Sequence, residues 1–537
     1  MPDEKKQKII EGRSFRGLNV LDDPTALDPS ESPYMPNMDI TKDGRAQTRF
    51  GYEEVLDLSD GSLGGSGRSY GLASYYATSG TYEGDYLLMW NNGKLFSVKD
   101  NDFDVADIRD EGAYGTDDGK VRGTTHNNVY VFGNGLAANT AKTFDGDATA
   151  NLGGSLDPAY FTSFQSRLFC SPKNSSTAYY SDTNTTDTNL SSNFVVIADK
   201  NGEDVTGFVA NSDFLQSFKE DSIHGINWSF DDNYNISVPK LQPIVNSQGG
   251  AYAPSSIQAV YGYTYYLSSK GFESYGATQE SIRANIPLPL SLSVDPLIYQ
   301  INFQKADEVD SAFFEGKYLC AAPVGGSQEV NNVVFVYNET VKRRFGVDNW
   351  SLYTGISVDS FAKYRDAQKR EKLYFSSPYD EKIYRFNKTF SDNGYGYIRA
   401  WRSKTFQFGE RTDWRYIDLE GDKVINGKMD VDLWVDGVLH TITDAITDDN
   451  FVIQSNGGGY LGDGYTGSLY YGDGQSSDGE VPMYKWRKRV RFPVTITEGY
   501  NMYFEIRNQE EAQGWALSRF RVNYAMNPDD PNYTYAD

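Results

Sequence analysis

The sequence is short of the residues that build many kinds of site. Among 537 residues there are two cysteines, Cys170 and Cys320, and three histidines, His126, His224 and His440. Two thiols cannot make a disulfide framework, and histidines so far apart in the chain argue against a multi-histidine metal centre. No run approaches the ~18 apolar residues of a membrane-crossing helix, so no membrane span is expected. The N-terminus, MPDEKKQKIIEGRSF, has charges but no apolar core. It does not read as a secretory signal, and synthesis inside a cell is expected. Positive charge is outnumbered: 50 Lys and Arg face 74 Asp and Glu, for a net charge of −24. Such a field repels a polyanion, which excludes broad nucleic-acid binding and leaves only local basic strips for it.

What the chain has in quantity is aromatic surface, with 40 Tyr, 30 Phe and 8 Trp. Aromatic residues favour strands. Long helical periodicity is scarce, and short apolar runs bounded by Gly, Asn, Asp and Ser dominate. The fold class expected is all-β.

Three regions separate. Residues 1–52 read as an extended N-terminal arm. Pro24, Pro29, Pro33 and Pro36 forbid a continuous helix or central strand there, and Asp43-Gly44 marks a tight hairpin turn. Residues 53–395 carry a degenerate repeat of short, bulky strands. Its instances are Leu95-Phe96, Tyr130-Val131-Phe132, Leu168-Phe169-Cys170, Tyr265-Tyr266-Leu267, Tyr318-Leu319-Cys320 and Leu373-Tyr374-Phe375. A four-stranded propeller blade takes about 40 to 50 residues, and the long gap after Phe169 has room for one hidden unit. The expectation is an irregular β-propeller of about seven blades. Cys170 and Cys320 end equivalent runs, and small buried hydrophobes in matching core positions account for them. Residues 396–537 alternate apolar and polar, as in KMDVDLWVDGV from Lys428 and SRFRVNY from Ser518. That pattern reads as an antiparallel β-sandwich, interrupted by a Gly-rich loop at 455–479.

Several motifs tempt and fail on context. Gly462 to Gly467 matches GxGxxG but lies in a glycine-rich tract with no helix former after it. Gly67 to Gly71 matches GxSxG, yet a strand rather than a helix is expected to follow. Ser476 to Gly479 lacks the spacing of an aspartate box. The Asp-rich turns at Asp39 to Asp43 and Asp145 to Asp147 lack a full calcium-loop pattern. No catalytic residue, cofactor or metal ligand is assigned, and no enzymatic activity is expected.

Two basic strips stand out. In Lys485 to Arg491, strand alternation places Lys485, Arg487, Arg489 and Arg491 on one face, with Trp486, Lys488 and Val490 on the other. Four like charges spaced two residues apart repel one another. An acidic neighbouring subunit or DNA phosphate would relieve them, as would carboxylates of their own sheet. Lys342-Arg343-Arg344 is the second strip, expected in a hairpin turn.

The arm carries a run of motifs in order: Phe15-Arg16-Gly17-Leu18-Asn19, Asp22-Asp23-Pro24, Asn37-Met38-Asp39, Asp43-Gly44-Arg45 and Arg49-Phe50-Gly51-Tyr52. This resembles the opening of propeller-containing virion proteins of tailed bacteriophages, the tail nozzle and hub proteins (tail tubular or packaged-DNA stabilisation proteins). Where that family often has a glycine pair before Leu-Asn, this chain has Arg16-Gly17. Tyr265 to Gly276, Val333 to Tyr337 with Asp348-Asn349-Trp350-Ser351, and Asp392-Asn393-Gly394 followed by Ser403 to Gly409 are similar to later segments of the family.

The resemblance implies a non-enzymatic structural subunit of the virion tail, made in the host cytoplasm. It implies a ring, six-fold in expectation, below the portal and adaptor proteins. Such a ring lines the DNA exit channel, helps retain the genome and anchors tail fibres or spikes. The arm, through Phe15, Leu18, Asn19 and Asn37, is then expected to reach a neighbouring subunit and order on assembly. The Lys485 to Arg491 strip and Lys342 to Arg344 are the expected subunit or DNA contacts. The alternative is a host-surface receptor-binding tail protein that recognises glycan, in keeping with the many aromatic residues.

Overall fold

The computed structural model describes residues 7–526 except 61–62, 79–81, 116–118, 154–155, 187–190, 198–201, 211–213, 232–235, 246–248, 277–287, 451–480 and 482. The tempting matches at Gly462 to Gly467 and Ser476 to Gly479, and the Gly-rich loop 455–479, lie outside these residues.

Seven four-stranded antiparallel sheets follow one another along the chain. The first blade is Ser69–Ala77, Gly84–Asn91, Lys94–Lys99 and Arg109–Ala113. The innermost strands of the other six begin at Arg122, Pro158, Val205, Gln258, Asp310 and Ser360. Each innermost strand packs beside those of its two neighbours, and the circuit closes from Ser360–Arg365 back to Ser69–Ala77. The chain is a seven-bladed β-propeller.

Short turns build the blades. Between the first and second strands sit two-residue hairpins with both residues at positive φ: Asn127-Asn128, Gln165-Ser166, Tyr261-Gly262 and Glu315-Gly316. Such turns match the right-handed twist of the strands they join. The bulky runs that mark the repeat are the strands just after these turns. Cys170 and Cys320 are each the fourth residue of the second strand in their blades, and both are fully buried free thiols.

One feature of the repeat differs from the sequence reading. Leu95-Phe96 belongs to the third strand of its blade. The second strand there is Gly84–Asn91, buried along its whole length. The hidden unit is the fourth blade, whose second strand Leu215–Lys219 carries buried Gln216 and Ser217 at its centre. Those polar residues mask its apolar character.

The ring is zipped by its two ends. Tyr52–Asp57 pairs with Lys382–Phe386 and supplies the outer strand of the seventh blade, so the propeller takes up the chain at Tyr52. Beyond the blades, two sheets share the long strand Phe406–Lys423. One sheet runs through Glu498–Asn508, Met429–Val435 and Val438–Ile446. The other runs through Tyr484–Arg491, Phe406–Lys423 and Trp515–Met526. Their inner faces meet in one core, where Phe504 lies edge-on to Phe520 at 5.2 Å.

The N-terminal strands belong to this sandwich. Gln7–Arg13 pairs along Trp515–Met526, and Ala46–Thr48 pairs with the same strand through Ala516 and Leu517. Met38–Ile40 turns back on Ala46–Thr48 through Asp43-Gly44. Phe15 is 1% exposed and sits 5.2 Å from the Trp401 ring. Phe15→Ala should cost about 3–5 kcal/mol through the cavity it leaves. The check is the urea midpoint followed by tryptophan fluorescence.

Candidate functional site

The strand Tyr484–Arg491 presents Lys485, Arg487, Arg489 and Arg491 to solvent and buries Trp486 and Val490. Its neighbours extend the pattern across the sheet. Arg487, Glu420, Arg519 and Arg13 lie side by side on four successive strands. The next row is Arg489, Asp418, Arg521 and Glu11, and the third is Arg491, Tyr416, Asn523 and Ile9. Lys485 lies opposite Asp422. This outer face therefore holds seven cations, Lys485, Arg487, Arg489, Arg491, Arg519, Arg521 and Arg13, against four carboxylates, Asp422, Glu420, Asp418 and Glu11.

The carboxylates serve part of that charge. Arg487 is 2.7 Å from Glu420, and Arg489 is 2.7 Å from Asp418 while stacking 3.9 Å above the Tyr416 ring. Arg519 also bonds Glu420, and Arg521 reaches Glu11 at 3.1 Å. Two arginines share Glu420, so the carboxylate is divided. Lys485 and Arg491 have no ion-pair partner among the described residues. Arg519, Arg521 and Arg13 were not singled out in the sequence; the two-residue spacing of Arg519 and Arg521 within SRFRVNY is the signal that marks them.

The second basic strip is different. Lys342, Arg343 and Arg344 lie on the helix Glu339–Phe345, not in a hairpin turn. Asn338 caps its N-terminus by accepting from the Val341 N–H, and Gly346 at φ 73° ends it. Each cation has a partner within the chain. Lys342 is 2.7 Å from Asp348, Arg343 is 2.9 Å from Glu339 and stacks on Tyr261, and Arg344 donates to the Lys42 carbonyl. Three basic residues in a last turn also complement the helix dipole.

The arm residues expected to meet another subunit are buried in their own chain. Phe15, Leu18, Asn19 and Asn37 are 1%, 4%, 6% and 1% exposed. The reason is side-chain packing: Phe15 lies against Trp401 and Phe520, and Asn37 bonds Thr354 and the Ile398 carbonyl, so these groups are engaged within their own chain.

Instead, two of the arm motifs, Asn37-Met38-Asp39 and Arg49-Phe50-Gly51-Tyr52, converge on one buried junction. Arg49 is fully buried and forms a two-pronged ion pair with Asp392, at 2.8 and 2.6 Å. Its Nε donates to Asn37 Oδ1, and its guanidinium lies 4.1 Å from the Tyr397 ring. Arg399 covers the same ring, also at 4.1 Å. Burial works against the Arg49 charge, but the Asp392 pair outweighs it and holds the guanidinium pKa above its ordinary value. Asn37, in a left-handed conformation, also bonds Thr354 of the sixth blade and the Ile398 carbonyl. Asp39 accepts from Tyr353 and pairs with Lys317 at 2.6 Å. Gly51 is required by space, since a Cβ there would lie 1.9 Å from the Ser391 carbonyl oxygen.

A second charged cluster, not foreseen, closes one end of the propeller axis. The connection from fifth to sixth blade folds through Phe303–Glu308. Asp307 pairs with Arg122 and Lys173, and Glu308 with Arg68. Lys120, 4% exposed, donates to the carbonyls of Glu308 and Asp359 and lies 3.3 Å from Asp310. Burial pushes the Asp310 and Asp359 carboxyls up, while Arg122 and Lys173 overcome burial and hold Asp307 down. These residues come from separate segments, so no local motif announces them. The cavity beneath, about 250 Å³, is lined by the innermost strands of all seven blades.

No family model matches the chain, and no curated protein matches it. Three solved structures share its general form. The Pan2 WD40 domain of Neurospora crassa is 7% identical with a TM-score of 0.35, covering 60% of this chain and 89% of its own. The extracellular domain of the putative hybrid two-component system BT4673 of B. thetaiotaomicron is 8% identical with a TM-score of 0.40, covering 86% and 62%. BamB of Moraxella catarrhalis is 7% identical with a TM-score of 0.33, covering 66% and 96%.

Among the described residues no group of three or more His, Cys, Asp and Glu side chains is placed to hold a metal ion. Ser69 of the GxSxG match opens a blade strand and is fully buried, and Arg68 beside it is held by Glu308 and Asp359. The Asp145 carboxylate is engaged by the backbone N–H groups of Asp147 and Ala148, as in an ordinary turn. Burial pushes the Cys320 thiol up to about 12, away from reactivity.

Proposed function

We propose that this chain is a structural protein of a tailed-bacteriophage virion, a tail nozzle or hub subunit that assembles as a ring around the DNA exit path. The supporting observation is where the motifs behind the resemblance fall. Asn37, Asp39, Arg49, Gly51 and Asp392 meet at the junction of arm, sixth and seventh blades and sandwich. Motifs that lock one composite body together are the kind of residue that proteins of a common architecture would share. DNA in this reading runs through the lumen between subunits. The axial cavity of one propeller, about 250 Å³ and closed at one end, is far too small for a duplex whose major groove alone is about 12 Å wide. The acidic chain repels DNA from the ring wall and lets it slide.

The test is the mass of the purified chain, alone and with portal and adaptor proteins. A ring, or a monomer that forms rings only on the portal–adaptor complex, is expected. A monomer indifferent to those proteins that binds host cells would overturn the reading. Within the ring, the Lys485 to Arg491 strip serves a subunit contact. Reversing Arg487 and Arg489 to Glu should block assembly, and ring formation at wild-type yield would refute that role.

A second reading, recognition of host-surface glycan, draws on a cleft of about 400 Å³ between the sixth and seventh blades. Phe50, Phe314 and Phe386 line it, beside Lys317 and Arg370. A glycan-array signal from the monomer would favour it.

A further inference from the structure

We infer that the cationic sheet face of one copy docks on the acidic edge of the first blade of a second copy, in a head-to-tail contact. This rests on the ring reading and names the surfaces that would close it. The connection between the third and fourth strands of the first blade exposes Asp100, Asp102, Asp104 and Asp107. Asp100 has Lys369 at 3.6 Å. Asp102, Asp104 and Asp107 have no ion-pair partner among the described residues. Their nearest engagements are backbone N–H groups within the same loop, which Asp102 and Asp104 accept.

The two surfaces are matched in kind. Alternate residues of a strand lie about 6.6–6.8 Å apart, so Lys485 to Arg491 spread their charges over about 20 Å. Between the acidic loop and its blade is a crevice of about 360 Å³ lined by Tyr82, Asp100, Asp102 and Asp107 and by two cations, Lys99 and Arg109. Lys99 lies 5.5 Å from the buried Tyr86 ring and Arg109 is paired with Asp147, so the groups left to an incoming guanidinium are the Asp102 and Asp107 carboxylates. Arg491 and Lys485 lack local partners and are the free ends of the donor row.

A second copy fits this face better than DNA does. The rows interleave carboxylates with cations, and Glu420, Asp418 and Glu11 would oppose a continuous line of phosphates. Discrete carboxylates can meet the cations one by one. The two surfaces lie on different parts of the chain, the sandwich and a blade edge. A contact between unlike surfaces propagates and closes as a ring when its rotation permits.

The experiment uses full-length chains and the portal–adaptor complex, read by sedimentation and mass. Arg487→Glu/Arg489→Glu and Asp102→Lys/Asp107→Lys should each weaken assembly by more than about 100-fold, the scale of losing paired charges at an interface. Mixed together, the two variants present one intact contact and one whose charges are reversed on both sides, so they should co-assemble where each alone does not. Co-assembly also establishes that both variants fold. Raising the salt should weaken wild-type assembly. If the wild type forms no ring alone or on the portal–adaptor complex, the ring reading fails and this contact with it. If the wild type forms rings and Asp102→Lys/Asp107→Lys forms them equally, the ring reading stands and this contact is wrong. Salt-dependent duplex binding by the wild type, lost in Arg487→Glu/Arg489→Glu while rings persist, would give the face to DNA and overturn the proposal.

Discussion

Replacing Arg49 by methionine should destabilise the protein by about 3–5 kcal/mol, the cost of removing one partner from a buried ion pair. The side chain is fully enclosed, and nearly all its donors are committed: two to Asp392, one to Asn37 and one to the Phe50 carbonyl. Methionine keeps much of the stem volume, so the loss is electrostatic. It strands the Asp392 carboxylate, 6% exposed, away from water. It also leaves Asn37 Oδ1 with only the Thr354 N–H. The effect is global because the junction joins arm, blades and sandwich. Asn37 touches the sixth blade and Ile398, Asp392 follows the seventh blade, and Tyr397 with Arg399 leads into the sandwich. Combining Arg49→Met with Asp392→Leu should recover much of the loss, since an apolar pair removes the stranded charge. Urea unfolding followed by tryptophan fluorescence is the measurement. An unshifted midpoint for Arg49→Met would mean that the pair does not hold the arm.

The class of this fold was legible because the aromatic, turn-bounded runs leave no other period. Its details were hidden where local chemistry departs from the usual signals. Gln165-Ser166 makes a tight hairpin that Asn-Gly would have announced, and the fourth blade hides its second strand behind Gln216 and Ser217. The four exposed cations of Tyr484–Arg491 followed from alternation alone, since a strand has two faces and Trp486 and Val490 claim one. The other half of that face, Arg519 and Arg521 with Glu11 across from them, depends on which strands pair. Pairing between residue 11 and residue 521 leaves no local trace. The same limit explains the arm. Its proline-rich sequence reads as a free segment, yet Gln7–Arg13 ahead of the prolines runs antiparallel to Trp515–Met526 and Phe15 lies against Trp401 and Phe520. The Lys342 to Arg344 strip shows the converse. Its charges looked available, but Asn338, Glu339 and Gly346 build a short helix that gives each one a neighbour.

Lys120→Met should be the most damaging substitution in the propeller, and its damage should depend on pH. The ammonium sits between the carbonyls of Glu308 and Asp359 and the carboxylate of Asp310, at the point where the fifth-to-sixth connection crosses the axis. Around it stand Arg68, Arg122 and Lys173 on one side of the charge balance, and Asp307, Glu308, Asp310 and Asp359 on the other. Removing it leaves Asp310 and Asp359 short of a counter-charge in a closed space, a loss of about 3–5 kcal/mol at neutral pH. Burial already raises both carboxyls above their ordinary value, with Lys120 pulling them down. A carboxyl raised in the folded state holds its proton more tightly folded than unfolded. Stability then falls as pH climbs from the ordinary carboxylate value through the raised one, and returns on acidification. Without Lys120 that rise is larger, so the deficit against wild type should be greatest at about pH 7 and smaller near about pH 5. Asp307 titrates in the opposite sense, because Arg122 and Lys173 hold it low and its contribution is lost on acidification. That term is common to both proteins and drops out of their difference. Paired urea titrations at the two pH values make the comparison. An equal deficit at both would assign the loss to packing around the lysine stem and leave the buried carboxylates without a part in it.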